Sequence, residues 1–226
     1  MTLLSPVLDA AAPLLKPLFS LWGSPVTLLE VIAFGLSLWM VRCNMRVQAL
    51  AWPLAILSSL LYALLFAASQ LYGEAGLQFV FVAFSLWGWW QWLRGQDAGG
   101  QPLTVAALSR TEALWVSALT LAAWPALALL LQRATDSTTP WLDGLTTTAS
   151  LAGQYLLGRK RVENWAVWLG VNVVSVGLFA VKGLWLTLVL YAIFALLSVA
   201  GWRAWRALLA PRVDAAPGGP ATPAAA

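Results

Sequence analysis

The sequence predicts an all-α membrane protein: seven transmembrane helices in two parallel three-helix repeats joined by one linker helix, N-terminus outside and C-terminus inside. Three observations carry the prediction. Of 226 residues, 61% are hydrophobic and only 10% charged, too little polarity to cover a soluble domain. Apolar runs of about 20 residues recur from end to end, each long enough to cross a hydrocarbon core of about 30 Å. These runs lack the alternation of barrel strands, which leaves helices as the spanning form. The third observation is the placement of the cations.

Residues 1–22 lack the basic start of a signal peptide and carry Asp9, Pro6 and Pro13, so they read as an interfacial helix or extension. Helix 1 follows at about 26–43, opened by Ser24-Pro25 as cap and first-turn proline. Helices 2 and 3 cover about 49–68 and 75–93. The polar linker RGQDAGGQP leads to Ser109-Arg110-Thr111-Glu112, a capping-box entry into helix 4 at about 113–131. Helix 5 (about 141–157), the basic turn GRKRVEN, helix 6 (about 165–181) and helix 7 (about 184–206) complete the series. The expected divisions are an N-terminal segment 1–22, a first repeat 23–94, a loop with linker helix 95–131, a second repeat 132–208, and a Pro/Ala-rich disordered tail 209–226.

With seven spans the loops alternate sides. One side then collects Arg42, Arg46, Arg94, Arg110, Arg159, Lys160, Arg161, Arg203, Arg206 and Arg212, the other only Lys16, Arg133 and Lys182. That bias sets the orientation. It also explains a pI near 9.6 without a nucleic-acid groove.

A shift of 116 residues lays Trp52 on Trp168 and Ser59 on Ser175. A shift of 113 lays Gln78 on Tyr191, Phe81 on Phe194, Ser85 on Ser198, Gly88 on Gly201, Trp89 on Trp202 and Trp92 on Trp205. Helices 1–3 therefore match helices 5–7, and the extra crossing of helix 4 makes the copies parallel, as in the SWEET transporters.

Polar groups at membrane depth are costly and face the bundle interior, as a cavity lining or as interhelical hydrogen bonds. Helix 5 aligns Asp143, Thr147, Ser150 and Gln154 on one face. A carboxylate and an amide on one stripe favour a cavity. At a shift of 116 helix 1 offers only Thr27, Val31, Phe34 and Leu38 there, so the stripe belongs to the second copy alone. Helix 6 aligns Trp165, Trp168, Asn172 and Ser175, helix 3 Gln78, Ser85 and Trp89, and helix 7 Tyr191 and Ser198. In GWWQW (88–92) and GWRAW (201–205), Trp92 and Trp205 read as interfacial belt residues beside snorkelling arginines. Trp90 lies deeper and joins the candidate binding set.

With no histidine and one cysteine, Cys43, neither a metal site nor a disulfide framework is expected. No glycine-rich phosphate loop supplies an ATPase motor. No nucleophile–base pair suggests an enzyme, and no cofactor is expected.

Two segments, LYGEAGLQFVFVAFSLWGWWQW (71–92) and SLAGQYLLGRKRVENWAVWLGVN (150–172), resemble the PnuC nicotinamide riboside transporters. The shared features are Gln78 with the GWW-x-W ending, Gln154, the turn with Arg159, Lys160 and Glu163, and W-x-x-W-x-x-x-N at Trp165, Trp168 and Asn172. The resemblance covers about residues 25–207. It implies a SWEET-like layout, facilitated uptake of nicotinamide riboside into the bacterial cell across the inner membrane, trapping by a separate cytoplasmic kinase, and a homotrimer. Carriers of thiamine, riboflavin, deoxynucleosides or sugars on the same scaffold stay open, as does a non-transporting assembly factor.

Overall fold

The computed structural model describes residues 12–21, 23–68, 72–97, 99–135, 138–181 and 185–209. The first eleven residues and the tail from 210 lie outside the described residues, and so does Lys182. Within the described part there are seven α-helices and one small hairpin: β1 (Pro17–Leu21), β2 (Ser24–Thr27), α1 (Leu28–Met45), α2 (Ala51–Ala68), α3 (Tyr72–Arg94), α4 (Arg110–Ala134), α5 (Pro140–Gly158), α6 (Asn164–Val181) and α7 (Trp185–Ala207). Four of them, α1, α2, α4 and α7 from Leu188, are long and apolar enough to cross a membrane, and α6 is a shorter apolar helix. Helices α3 and α5 fall below that mark because they carry the polar residues singled out above.

The hairpin corrects the reading of the segment before α1. Pro17–Leu21 pairs antiparallel with Ser24–Thr27, so Ser24 and Pro25 belong to a strand and do not open the helix. Thr27 caps α1 instead. Its hydroxyl accepts from the Glu30 amide at 3.2 Å, and the Glu30 carboxylate accepts from the Thr27 amide at 2.7 Å, a reciprocal box that satisfies two orphan donors. At α4 the box is half made. Ser109 Oγ accepts from the Glu112 amide at 3.1 Å, while the Glu112 carboxylate pairs with Arg161 at 2.8 Å.

Six helices pack in a ring: α1 on α2, α2 on α3, α3 on α5, α5 on α6, α6 on α7, and α7 back on α1. Helix α4 lies outside the ring against α5. Gly144 permits that approach, since a Cβ there would meet the Ala128 backbone at about 3.1 Å. Ala128 is the buried residue of α4, and Leu114, Trp115 and Leu119 are among its exposed side chains. Such a face belongs against lipid.

The linker from α3 to α4 runs across the α5–α6 turn. Ala106 accepts from the Val162 amide and donates to the Lys160 carbonyl, Leu108 donates to Glu163 Oε2 at 2.8 Å, and Lys160 Nζ donates to the Leu103 carbonyl at 2.8 Å. Lys160 also lies 5.3 Å from the Trp92 ring centroid. Burial lowers its pKa. The basic turn is thus more than a topology signal: Lys160, Arg161 and Glu163 each have an internal partner.

Local contacts recur at a single spacing of 113 residues. Gly88 faces the Trp52 ring as Gly201 faces the Trp165 ring. Val47 and Lys160 both take the left-handed conformation, φ 54°, each ending a helix. The Gln48 amide reaches the Cys43 carbonyl at 2.9 Å, and the Arg161 amide the Leu156 carbonyl at 2.8 Å. The equivalent of Trp52 is therefore Trp165, and that of Ser59 is Asn172. The 116-residue shift for helices 2 and 6 is wrong by nearly one turn, which keeps the same helix face and so escapes notice in the sequence.

Candidate functional site

Every helix of the ring buries at least one polar side chain: Ser37 from α1, Ser58 from α2, Ser85 from α3, Ser150 and Gln154 from α5, Asn172 and Ser175 from α6, and Ser198 from α7. Among the described residues α4 buries none. A polar group away from water needs a partner, and several of these find one on a neighbouring helix. Ser37 and Ser58 hydroxyls meet at 3.0 Å, tying α1 to α2. Asn172 Nδ2 donates to Ser198 Oγ at 3.2 Å, tying α6 to α7, and Ser198 donates to the Phe194 carbonyl at 2.8 Å. Ser85 is fully buried with no partner for its hydroxyl.

The expected stripe on α5 divides by depth. Asp143 and Thr147 are half-buried, and Ser150 and Gln154 are buried. Thr139 Oγ1 donates to Asp143 Oδ2 at 3.2 Å, at the first turn, where an acidic group suits the helix dipole. Trp168 is half-buried with its indole on Gly153; a Cβ there would meet Cε2 at 3.1 Å. Tyr191 packs beside Phe179, ring centroids 4.9 Å apart, and Phe194 at 6.0 Å. Gln78 is half-buried on α3.

Two candidates fall elsewhere. Trp90 is 57% exposed. It lies two residues, about 200°, beyond buried Gly88, so it points out of the bundle. Trp165 is buried, but two turns nearer the arginine-rich end than Asn172, and its ring packs on Trp205 at 5.7 Å and 88°. It is part of an aromatic cluster and not of a platform at the depth of Asn172.

That cluster also overturns the belt assignment. Trp205 has 0% exposure. Trp52 meets Trp92 at 5.4 Å and 89°, and Trp92 meets Trp205 at 6.2 Å and 45°. Trp92 Nε1 donates to the Leu157 carbonyl and Trp205 Nε1 to the Asn44 carbonyl, both at 3.0 Å. An indole at a belt would keep its N–H in the headgroup region. Here each N–H caps a last-turn carbonyl of a helix from the opposite half.

Sequence reasoning missed one group. With the 113-residue spacing, Glu30 and Ser37 are the counterparts of Asp143 and Ser150. The stripe is not confined to the second half. Ser37 donates to the Ala33 carbonyl at 2.8 Å and meets Ser58 Oγ of α2 at 3.0 Å. The signal was present on α1 at Glu30 and Ser37 and on α2 at Ser58, but the 116-residue shift hid it.

The nicotinamide mononucleotide transporter family model matches residues 27–207. A riboflavin/roseoflavin transporter, RibM of Streptomyces davaonensis, is 30% identical over 189 residues, 82% of this chain and 87% of that protein. The nicotinamide riboside transporter PnuC of Escherichia coli is 27% identical over 167 residues, 63% of this chain and 70% of that protein. The crystal structure of the Vitamin B3 transporter PnuC superposes with a TM-score of 0.65 at 25% identity, covering 80% of this chain and 81% of that one. A helical bundle with a polar interior and these relatives is a membrane transporter of the bacterial inner membrane and not an enzyme. The chain belongs to the nicotinamide mononucleotide transporter family, among the PnuC-type proteins.

Proposed function

We propose that the chain carries nicotinamide riboside into the cell by facilitated diffusion and alternating access, with cytoplasmic phosphorylation trapping the product. The carrying observation is the polar interior: six ring helices bury polar side chains and α4 does not. All seven helices cross the membrane, α1–α3 and α5–α7 as parallel copies around α4, with the arginine-rich end inside. The 113-residue recurrence of contacts supports the copies. The protein works as a homotrimer, and its division into 23–94, 95–131 and 132–208 follows the copies.

The ligand has a pyridinium cation, a carboxamide and a ribose. Asn172, Gln154, Gln78 and Ser85 supply amide and hydroxyl partners for the carboxamide and ribose. Ser150 and Thr147 extend that lining toward Asp143, whose carboxylate attracts the cation at the outer end. Trp168 and Tyr191 stack on the pyridinium, worth about 0.5–2 kcal/mol each. A monocation gains about 2.3 kcal/mol per 100 mV on entering a negative interior, so no coupling ion is required. Uptake into proteoliposomes without an ion gradient supports this reading, and strict sodium or proton dependence refutes it.

A second reading, riboflavin transport, is favoured by the likeness to RibM over 82% of the chain. Riboflavin is neutral, so its uptake does not respond to an inside-negative potential, whereas that of nicotinamide riboside rises with it. A binding panel of nicotinamide riboside, riboflavin and thiamine on purified protein, followed by that potential test, decides between them.

A further inference from the structure

We infer that Trp52, Trp92, Trp165 and Trp205, with the two indole–carbonyl bonds that cross between the halves, form the cytoplasmic gate of the transport path. This rests on the alternating-access reading. The cluster closes the arginine-rich end of the ring. It is built from both halves: Trp52 and Trp92 come from α2 and α3, Trp165 and Trp205 from α6 and α7. The perpendicular pair Trp52–Trp92 is repeated by Trp165–Trp205, and the Trp92–Trp205 contact at 6.2 Å joins them.

Each half holds the other by the same device. Val47 and Lys160 turn left-handed just beyond α1 and α5, and the carbonyls of Asn44 and Leu157, three residues earlier, each take the indole N–H of a tryptophan from the other half. Trp52 and Trp165 keep no partner for their own N–H groups and serve as packing. Among the described residues, the hydrogen bonds that fasten helices of one half to helices of the other come from Trp92 and Trp205. Release of substrate to the cytoplasm requires the halves to part at this end, which breaks both bonds and separates Trp92 from Trp205.

The gate is tested by labelling, without any substrate. Ser85 lies two turns deeper than Trp92 on the same face of α3, so Ser85→Cys reports access to the interior from the cytoplasmic side. The sole native cysteine, Cys43, is removed as Cys43→Ala. In inside-out vesicles a membrane-impermeant maleimide labels this chain slowly. Trp92→Phe or Trp205→Phe keeps a ring but removes one clasp, and each speeds labelling about fivefold, the net worth of one hydrogen bond; the pair together speeds it about 25-fold. Trp52→Phe and Trp165→Phe leave the rate near that of the parent. Rates unchanged in the clasp variants, or raised equally by the packing variants, overturn the gate. If a phenylalanine variant fails to elute as the parent does, benzothienylalanine at 92 or 205, an isostere without the N–H, gives the same readout. Nicotinamide riboside uptake with unchanged labelling would refute the gate alone, and labelling as expected with no ligand in the binding panel would refute the substrate alone.

Discussion

At the residue scale, Asn172 decides between a binding group and interhelical glue. Its amide donates to Ser198 at 3.2 Å, an interaction worth about 0.6 kcal/mol on average in membrane proteins. Asn172→Leu should therefore lower the thermal midpoint slightly in detergent, by an amount consistent with about 1 kcal/mol, and abolish ligand binding measured on the same sample. A folded variant that still binds would reduce Asn172 to glue. The sequence made Asn172 legible because a lone amide in an apolar helix stands out. It did not make Trp90 or Trp165 legible, because clusters such as GWWQW give three tryptophans in five residues and the inward one depends on register. Glu30, Ser37 and Ser58 stayed hidden behind ordinary roles, a cap and small helix residues.

At the element scale, all seven helices were readable within a few residues from hydrophobic runs and turn signals. The β1–β2 hairpin was not. Pro17–Leu21 is short, and nothing in its pattern separates a paired strand from an interfacial extension. The sequence shows the linker only as a polar connection; that it straps the α5–α6 turn rests on long-range partners, Ala106 with Lys160 and Val162, which leave no local signature. The Glu112–Arg161 pair, 2.8 Å with 15% and 22% of the side chains exposed, joins α4 to that turn. A double-mutant cycle of Glu112→Gln and Arg161→Gln, read by thermal unfolding, should give a coupling of about 1 kcal/mol or less after solvent screening. Additive losses would mean that the backbone bonds of Ala106 hold the strap alone.

At the scale of the whole molecule, the two halves should respond alike to the same injury. Gly88 and Gly201 have no room for a methyl group against Trp52 and Trp165. Gly88→Ala and Gly201→Ala should each cost about 1–3 kcal/mol by overpacking, with thermal midpoints matching more closely to each other than to Gly170→Ala, where nothing lies within 4 Å of the added carbon. A large loss at one glycine and none at the other would break the equivalence. The recurrence was visible in the sequence at α3 and α7, where five positions are identical at a shift of 113 and Gln78 falls on Tyr191. Its exact register at α2 and α6 needed the three-dimensional contacts, since tryptophans three residues apart are interchangeable to a pattern search.

The clasp has a further consequence. Each half contains one donor, Trp92 or Trp205, and one acceptor, the carbonyl of Asn44 or of Leu157. A chain holding only α5–α7 would therefore already own both parts of the bond. Two such chains, brought together side by side, would fasten to each other by the rule that fastens this one to itself. On the parallel-repeat arrangement proposed above, the architecture is that of a self-complementary dimer whose subunits have been written into one reading frame, with α4 as the splice that lets them keep the same direction.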